Sequence, residues 1–140
     1  MDQDIRLITL GVEDLGRSRD FYTNGLGWSP ILDLDEVVFY QAGFGLALAL
    51  FPLEDFGKDA GHPITPGSAF SLAHNVETEN IVDEVVEQAR SAGATILKEP
   101  QRADFGGYHA YFADPDGHRW EVAHNPGLRV STDGSVVFGS

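Results

Sequence analysis

The sequence predicts an α+β fold built from two copies of one unit, strand–helix–strand–strand–strand. Three observations predict it. Ile8-Thr9-Leu10-Gly11-Val12-Glu13-Asp14 and Leu72-Ala73-His74-Asn75-Val76-Glu77-Thr78 share a pattern in which a strand runs into a helix cap. Each is followed by a helical stripe, a glycine stop and short apolar runs split by turn residues. The second unit ends in Tyr111-Phe112-Ala113, then Asp114-Pro115-Asp116-Gly117, then Trp120-Glu121-Val122. Pro fixes φ, Asp side chains bond nearby N–H groups and Gly accepts positive φ, so the middle segment is a tight turn between strands. Neither unit could bury its apolar face alone, which is why the repeat organises the reading.

Taken in order, Ile5–Val12 is the first strand and Asp14 the N-cap of a short helix over 15–24. Gly25 and Gly27 stop that helix. Trp28–Leu32, Val37–Gln41 and Gly45–Phe51 are three short strands, parted by an acidic turn and by Ala42-Gly43-Phe44. Residues 53–68, with Gly57, Gly61, Pro63, Pro66 and Gly67, read as a linker between module 1 (about 1–52) and module 2 (about 69–126). Ala69–Val76 opens the second module. Thr78 caps a helix with the stripe Ile81, Val82, Val85, Val86, Ala89, and Gly93 ends it. Ala94–Lys98, Tyr108–Phe112 and Arg119–His124 complete the unit, with a loop over Pro100–Gly107. Asn125-Pro126-Gly127 stops the last strand. The tail 127–140 is either a hairpin turning at Asp133-Gly134 or a partly ordered end.

Composition bounds the partners. The chain has 140 residues, enough for a single domain over 1–126, and its 42% apolar content is that of a globular protein. The longest apolar run, Leu46 to Leu53, is broken by Pro52 and is too short to span a bilayer. The N-terminus has no signal-like pattern, and the chain has no cysteine, so a cytoplasmic location is expected without disulfide or thiolate chemistry. A net charge of −13 repels phosphate backbones and anionic membrane surfaces, so no nucleic-acid or membrane partner is expected.

Three motifs carry a resemblance over residues 5–126. They are Val12-Glu13-Asp14-Leu15-Gly16-Arg17-Ser18-Arg19-Asp20-Phe21-Tyr22, Gly25-Leu26-Gly27-Trp28, and Asp114-Pro115-Asp116-Gly117 with Trp120-Glu121-Val122. Together they resemble the vicinal oxygen chelate superfamily of glyoxalases, bleomycin-resistance proteins and extradiol dioxygenases. Leu72–Val76 and Trp120–Pro126 look most like a bacterial glyoxalase-like subgroup. The resemblance implies that the two βαβββ modules form a curved, cupped mixed sheet with helices outside. It also implies a homodimer, since such cups are completed by pairing modules within or between chains. Metal-dependent members carry ligands at positions that fall here on Leu7, Ala49, Ser71 and Glu121. Leu and Ala cannot donate, and a metal site needs several N or O donors. The expectation is therefore no metal and no cofactor, with a divalent metal at Glu121 as the minority reading. Among the histidines, His118 and His124 lie about 20 Å apart along one strand and cannot share an ion. His74 reads as a core histidine, and His62 and His109 as exposed residues in or beside loops.

Strand parity assigns the cup face. It holds Leu7 and Thr9, Ala47, Ala49 and Phe51, Ser71, Ala73 and Asn75, and Arg119, Glu121 and Ala123. The opposite parity, including Leu10, Val12, Leu48, Leu50, Trp120 and Val122, is apolar and belongs under the helices. Phe105-Gly106-Gly107-Tyr108 reads either as an aromatic lip over the cup or as an ordinary glycine turn. Arg119 and Glu121 read either as an ion pair that neutralises both or as a binding pair with Glu121 as a catalytic base. The expected ligand-binding set is Thr9, Ala49, Phe51, Ser71, Asn75, Phe105, Tyr108, Arg119 and Glu121. Three functions stay open: a metal-free protein binding a small organic molecule in the cup; a lyase, isomerase or dioxygenase using Glu121 as base or metal ligand; and an interaction module without a small ligand.

Overall fold

A computed structural model describes residues 1–66 and 69–139. Strand β1 (Leu7–Val12) leads to helix α1 (Leu15–Asp20), whose N-cap Asp14 accepts from the Arg17 backbone N–H at 3.0 Å. The helix does not run on regularly. Phe21–Gly25 forms a π-helical turn in which the Leu26 N–H bonds the Phe21 carbonyl at 2.8 Å. That turn places Phe21 and Tyr22 in the core and brings Trp28 in behind them as a core residue rather than a strand residue. Strands β2 (Pro30–Asp33), β3 (Val38–Gly43) and β4 (Leu46–Pro52) follow.

The second unit repeats the plan with β5 (Ser71–Asn75), α3 (Glu79–Ser91), β6 (Thr95–Arg102), β7 (Tyr108–Ala113) and β8 (Arg119–His124). Thr78 caps α3 by accepting from the Ile81 N–H at 3.2 Å. Strand β6 runs through Pro100 into the stretch expected to be loop, with register irregularities between Ile96 and Gln101 that accommodate the proline. Between the units lies α2 (Leu53–Ala60) where a loop was expected. Pro52 and Gly61 read as breakers, but they sit just outside the helix. Glu54 and Asp55 favour its first turn, Lys58 pairs with Glu54, and Gly61 closes it at φ 75°. Gly67 of the expected linker lies outside the described residues. The tail forms the hairpin, β9 (Leu128–Val130) with β10 (Val136–Phe138).

Within each unit the strand order is first–fourth–third–second. β1 runs parallel to β4, and β5 parallel to β8. The result is two separate four-stranded sheets, with no strand pairing between them among the described residues. Among the described residues each sheet has two unpaired edges, β1 and β2 in the first and β5 and β6 in the second. The predicted helix-facing set is the observed core: Leu10, Val12, Leu48, Leu50, Trp120 and Val122 are buried together with Val82 and Val86 of α3. One core therefore serves both units, with aromatic contacts crossing between them (Phe21–Phe112 and Trp28–Trp120). The parity-opposite faces of both sheets point away from it.

Candidate functional site

The open face of the second sheet gathers polar side chains from three strands. Register places Ala73, Glu121 and Tyr111 side by side across β5, β8 and β7. Ser71 and Arg119 are paired two residues to one side, and Asn75, Ala123 and His109 two residues to the other. Period-2 alternation puts all of them on one face.

The centre is a pair that sequence reasoning missed. His109 Nδ1 lies 2.8 Å from Glu121 Oε2, with only 11% and 20% of the two side chains exposed. Facing a carboxylate, Nδ1 carries the proton and donates it. Nε2 has no hydrogen-bond partner among the described residues. Among the described residues no buried side-chain N or O is left without one, so Nε2 reaches the surface of the sheet. His109 is thus a buried, oriented imidazole and not the exposed loop residue expected. Glu121 bonds His109 rather than Arg119, and Arg119 makes no ion pair among the described residues. Burial, then the Glu121 carboxylate, push the Tyr111 phenol above its usual range, while the Ser71 hydroxyl beside it pulls partly back. Tyr111 is therefore a protonated donor next to the pair.

Phe105 stands edge-on to the His109 ring at 5.4 Å. Its turn needs two glycines: Gly106 has φ 92°, and a Cβ on Gly107 would strike the His124 carbonyl and the Phe105 ring. Tyr108 is a correction to the expected set. Its hydroxyl donates to Asp83 of α3 at 2.7 Å, on the helix side and away from the cup.

Thr9, Ala49 and Phe51 lie on the open face of the first sheet, lining a cavity of about 220 Å³ with Leu7, Phe39 and Asp59. Within one chain they are not brought to Ser71, Asn75, Arg119 and Glu121. The four resemblance-derived ligand positions therefore do not converge. Leu7 and Ala49 supply no donor, so these four positions do not fit a metal ion.

A different group does bring metal-ligating residues together. Asp114, Asp116 and His118, in the turn before β8, have ligand atoms within 4.8 Å of one another. Two carboxylates and an imidazole suit a hard or borderline divalent cation. Their atoms are already engaged. Asp114 accepts from the Tyr22 hydroxyl at 2.6 Å and from His118 Nδ1 at 2.8 Å, and Asp116 from the Ser18 hydroxyl at 2.9 Å and the Glu13 N–H at 2.9 Å. A cation would exchange with these donors. His74 is more exposed than a core histidine, has no hydrogen-bond partner among the described residues and borders a cavity of about 120 Å³ beside Trp28 and Trp120.

A sequence model of the Glyoxalase/Bleomycin resistance protein/Dioxygenase superfamily matches residues 5–122. The chain is 27% identical over 122 residues to metallothiol transferase FosB of Staphylococcus saprophyticus, covering 87% of this chain and 77% of that protein. It is similar to the crystal structure of a glyoxalase-related enzyme from Fulvimarina pelagi, with a TM-score of 0.90, 39% identity and 99% of each chain covered. It is also similar to lactoylglutathione lyase from Agrobacterium tumefaciens, with a TM-score of 0.66, 25% identity and coverage of 88% of this chain and 94% of that one. The expectation of no metal is corrected by two findings together: the assembled Asp–Asp–His group and the similarity to a relative named as a metallothiol transferase.

Proposed function

The chain belongs to the Glyoxalase/Bleomycin resistance protein/Dioxygenase superfamily, and from that premise we propose that it is an enzyme acting on a small organic molecule held against the second sheet. The observation that carries the reading is the His109–Glu121 pair. Glu121 fixes the tautomer of His109 and leaves the Nε2 lone pair free. A substrate C–H, O–H or S–H placed over the sheet gives its proton to Nε2, and Glu121 stabilises the imidazolium that forms. Tyr111 donates to developing negative charge from the same row. The unpaired guanidinium of Arg119, two residues from Glu121, selects a substrate with an anionic group.

A homodimer completes the site in this reading. Three features support it: β1 and β5 are open edges, the apolar half-cup of the first sheet is not joined to the polar half-cup of the second, and Leu7, Phe70 and Phe105 are left 46%, 53% and 48% exposed. A second copy related by a twofold axis would bring Thr9, Ala49 and Phe51 of one protomer over His109 and Glu121 of its partner.

The test is a turnover screen of small organic anions, with and without added divalent cations, followed by kinetics of variants on any compound converted. His109→Ala and Glu121→Gln should each lower kcat/KM about 10²- to 10⁴-fold. Arg119→Ala should act mainly on KM. Wild-type turnover by His109→Ala would remove the reading.

A further inference from the structure

We infer that the chain carries a second binding site, apart from the His109–Glu121 pair and bordering the first sheet at Thr9, in which His118 Nε2 holds the hydroxyl of a small, neutral aromatic alcohol inside an apolar cavity.

The cavity, of about 290 Å³, lies between β1, α2 and the start of the second module, with Leu53, Phe56, Ile64, Phe70, Thr9 and His118 in its wall. Its roof is closely fitted. A Cβ on Gly11 of β1 would meet Leu53 Cδ2 at 2.7 Å, so α2 lies almost on the strand. The walls are apolar except for the threonine hydroxyls and one buried imidazole.

That imidazole is built to present a single pole. The His118 side chain is 8% exposed and Asp114 wholly buried, with Nδ1 bonded to Asp114 Oδ2 at 2.8 Å. Asp114 is itself fixed by the Tyr22 hydroxyl at 2.6 Å and by the His118 backbone N–H at 2.9 Å. Nδ1 is therefore committed. Among the described residues Nε2 has no partner and no buried side-chain nitrogen is left unsatisfied, so Nε2 is reached by solvent, and the cavity that His118 lines gives it that access. Nε2 is thus a solvent-reached hydrogen-bonding pole among apolar walls, where a ligand hydroxyl can take the place of water.

The occupant's chemistry follows. A hydroxyl can accept from Nε2–H or donate to its lone pair, so it suits either state of the ring. An anion is disfavoured by Asp114 and Asp116 beside the ring and by the net charge of −13. The aromatic and aliphatic walls favour a flat apolar body. Nothing in the His109–Glu121 chemistry uses this group.

The test titrates the full chain with 2-naphthol and, separately, with naphthalene. 2-Naphthol should bind about tenfold more tightly, the value of one hydrogen bond at a buried imidazole. His118→Ala should reduce 2-naphthol to the affinity of naphthalene while leaving naphthalene unchanged. Thr65→Trp, an exposed position at the cavity wall outside the histidine network, should weaken both probes. NMR of the wild-type chain should show His118 ring signals shifting with the dissociation constant of 2-naphthol, which gives a readout if His118→Ala does not fold. Equal affinity for the two probes, binding of neither, or a hydroxyl preference that survives in His118→Ala would overturn the assignment.

Discussion

Tyr22, Asp114 and Trp120 form a buried chain of hydrogen bonds, with Trp120 Nε1 donating to the Tyr22 hydroxyl at 3.0 Å and that hydroxyl donating to Asp114 at 2.6 Å. Tyr22→Phe strands both neighbours and should cost about 1–3 kcal/mol in chemical denaturation. A second residue-level consequence concerns pH. Partial desolvation beside Trp28 and Trp120, with no hydrogen-bond partner among the described residues, holds the partly exposed His74 imidazole below its usual value. The unfolded chain then binds the proton more readily than the folded one. Stability is therefore full above the unfolded value of about 6.5 and declines as pH falls through it towards the lower folded value. Thermal denaturation between pH 8 and pH 5 should show a shallower acid loss for His74→Asn than for wild type; identical profiles would contradict this. The place of His109 is legible in the sequence. Alternation along β7 puts His109 and Tyr111 on the face of Glu121 and sends Tyr108, Ala110 and Phe112 to the helix. The adjacent Phe105-Gly106-Gly107 turn carries a loop signal that competes with this alternation, and Tyr108 belongs to the helix side rather than to the cup.

Elements whose apolar period is long were readable directly. The stripe on α3, the alternation on β1, β4 and β8 and the Asp-Pro-Asp-Gly turn all agree with their structure because local pattern and burial point the same way. The π-helical turn at Phe21–Gly25 was not readable, since it is set by packing. A Cβ on Gly25 would sit 2.5 Å from the Ala92 Cβ at the end of α3, and Gln88 of α3 bonds the Leu26 carbonyl at 3.1 Å. Gly25→Val should therefore cost about 1–3 kcal/mol by forcing turn and helix apart. A loss under about 0.5 kcal/mol, the size of a surface substitution, would mean that this contact is not close. Helix α2 is hidden for a different reason: its apolar stripe of Leu53, Phe56 and Ala60 spans only eight residues and is flanked by Pro52 and Gly61, which read as breakers.

At the scale of the molecule, the sheet faces chosen by parity were right while their assembly was not legible. A single sequence does not say whether two modules share one sheet or leave two half-cups, and this chain leaves two. No helix among the described residues is long and apolar enough to cross a membrane. Sedimentation at micromolar concentration should give the mass of a dimer of the 15.2 kDa chain. Removing residues 127–140 should leave the shortened chain a dimer, because the proposed pairing runs through β1 and β5 and not through the terminal hairpin.

In the proposed mechanism His109 and Glu121 act on a substrate enclosed by the first sheet of a second copy. Mixing two inactive variants tests it most directly: His109→Ala, which lacks the base, and Ala49→Trp, which fills the opposite half-cup. After unfolding and co-refolding in equal amounts, half of the dimers are mixed. Each mixed dimer then has one site built from two intact halves, so turnover should return to about a quarter of wild type. A mixture as inactive as its two components would contradict the account, since it would mean that each site is made within one chain.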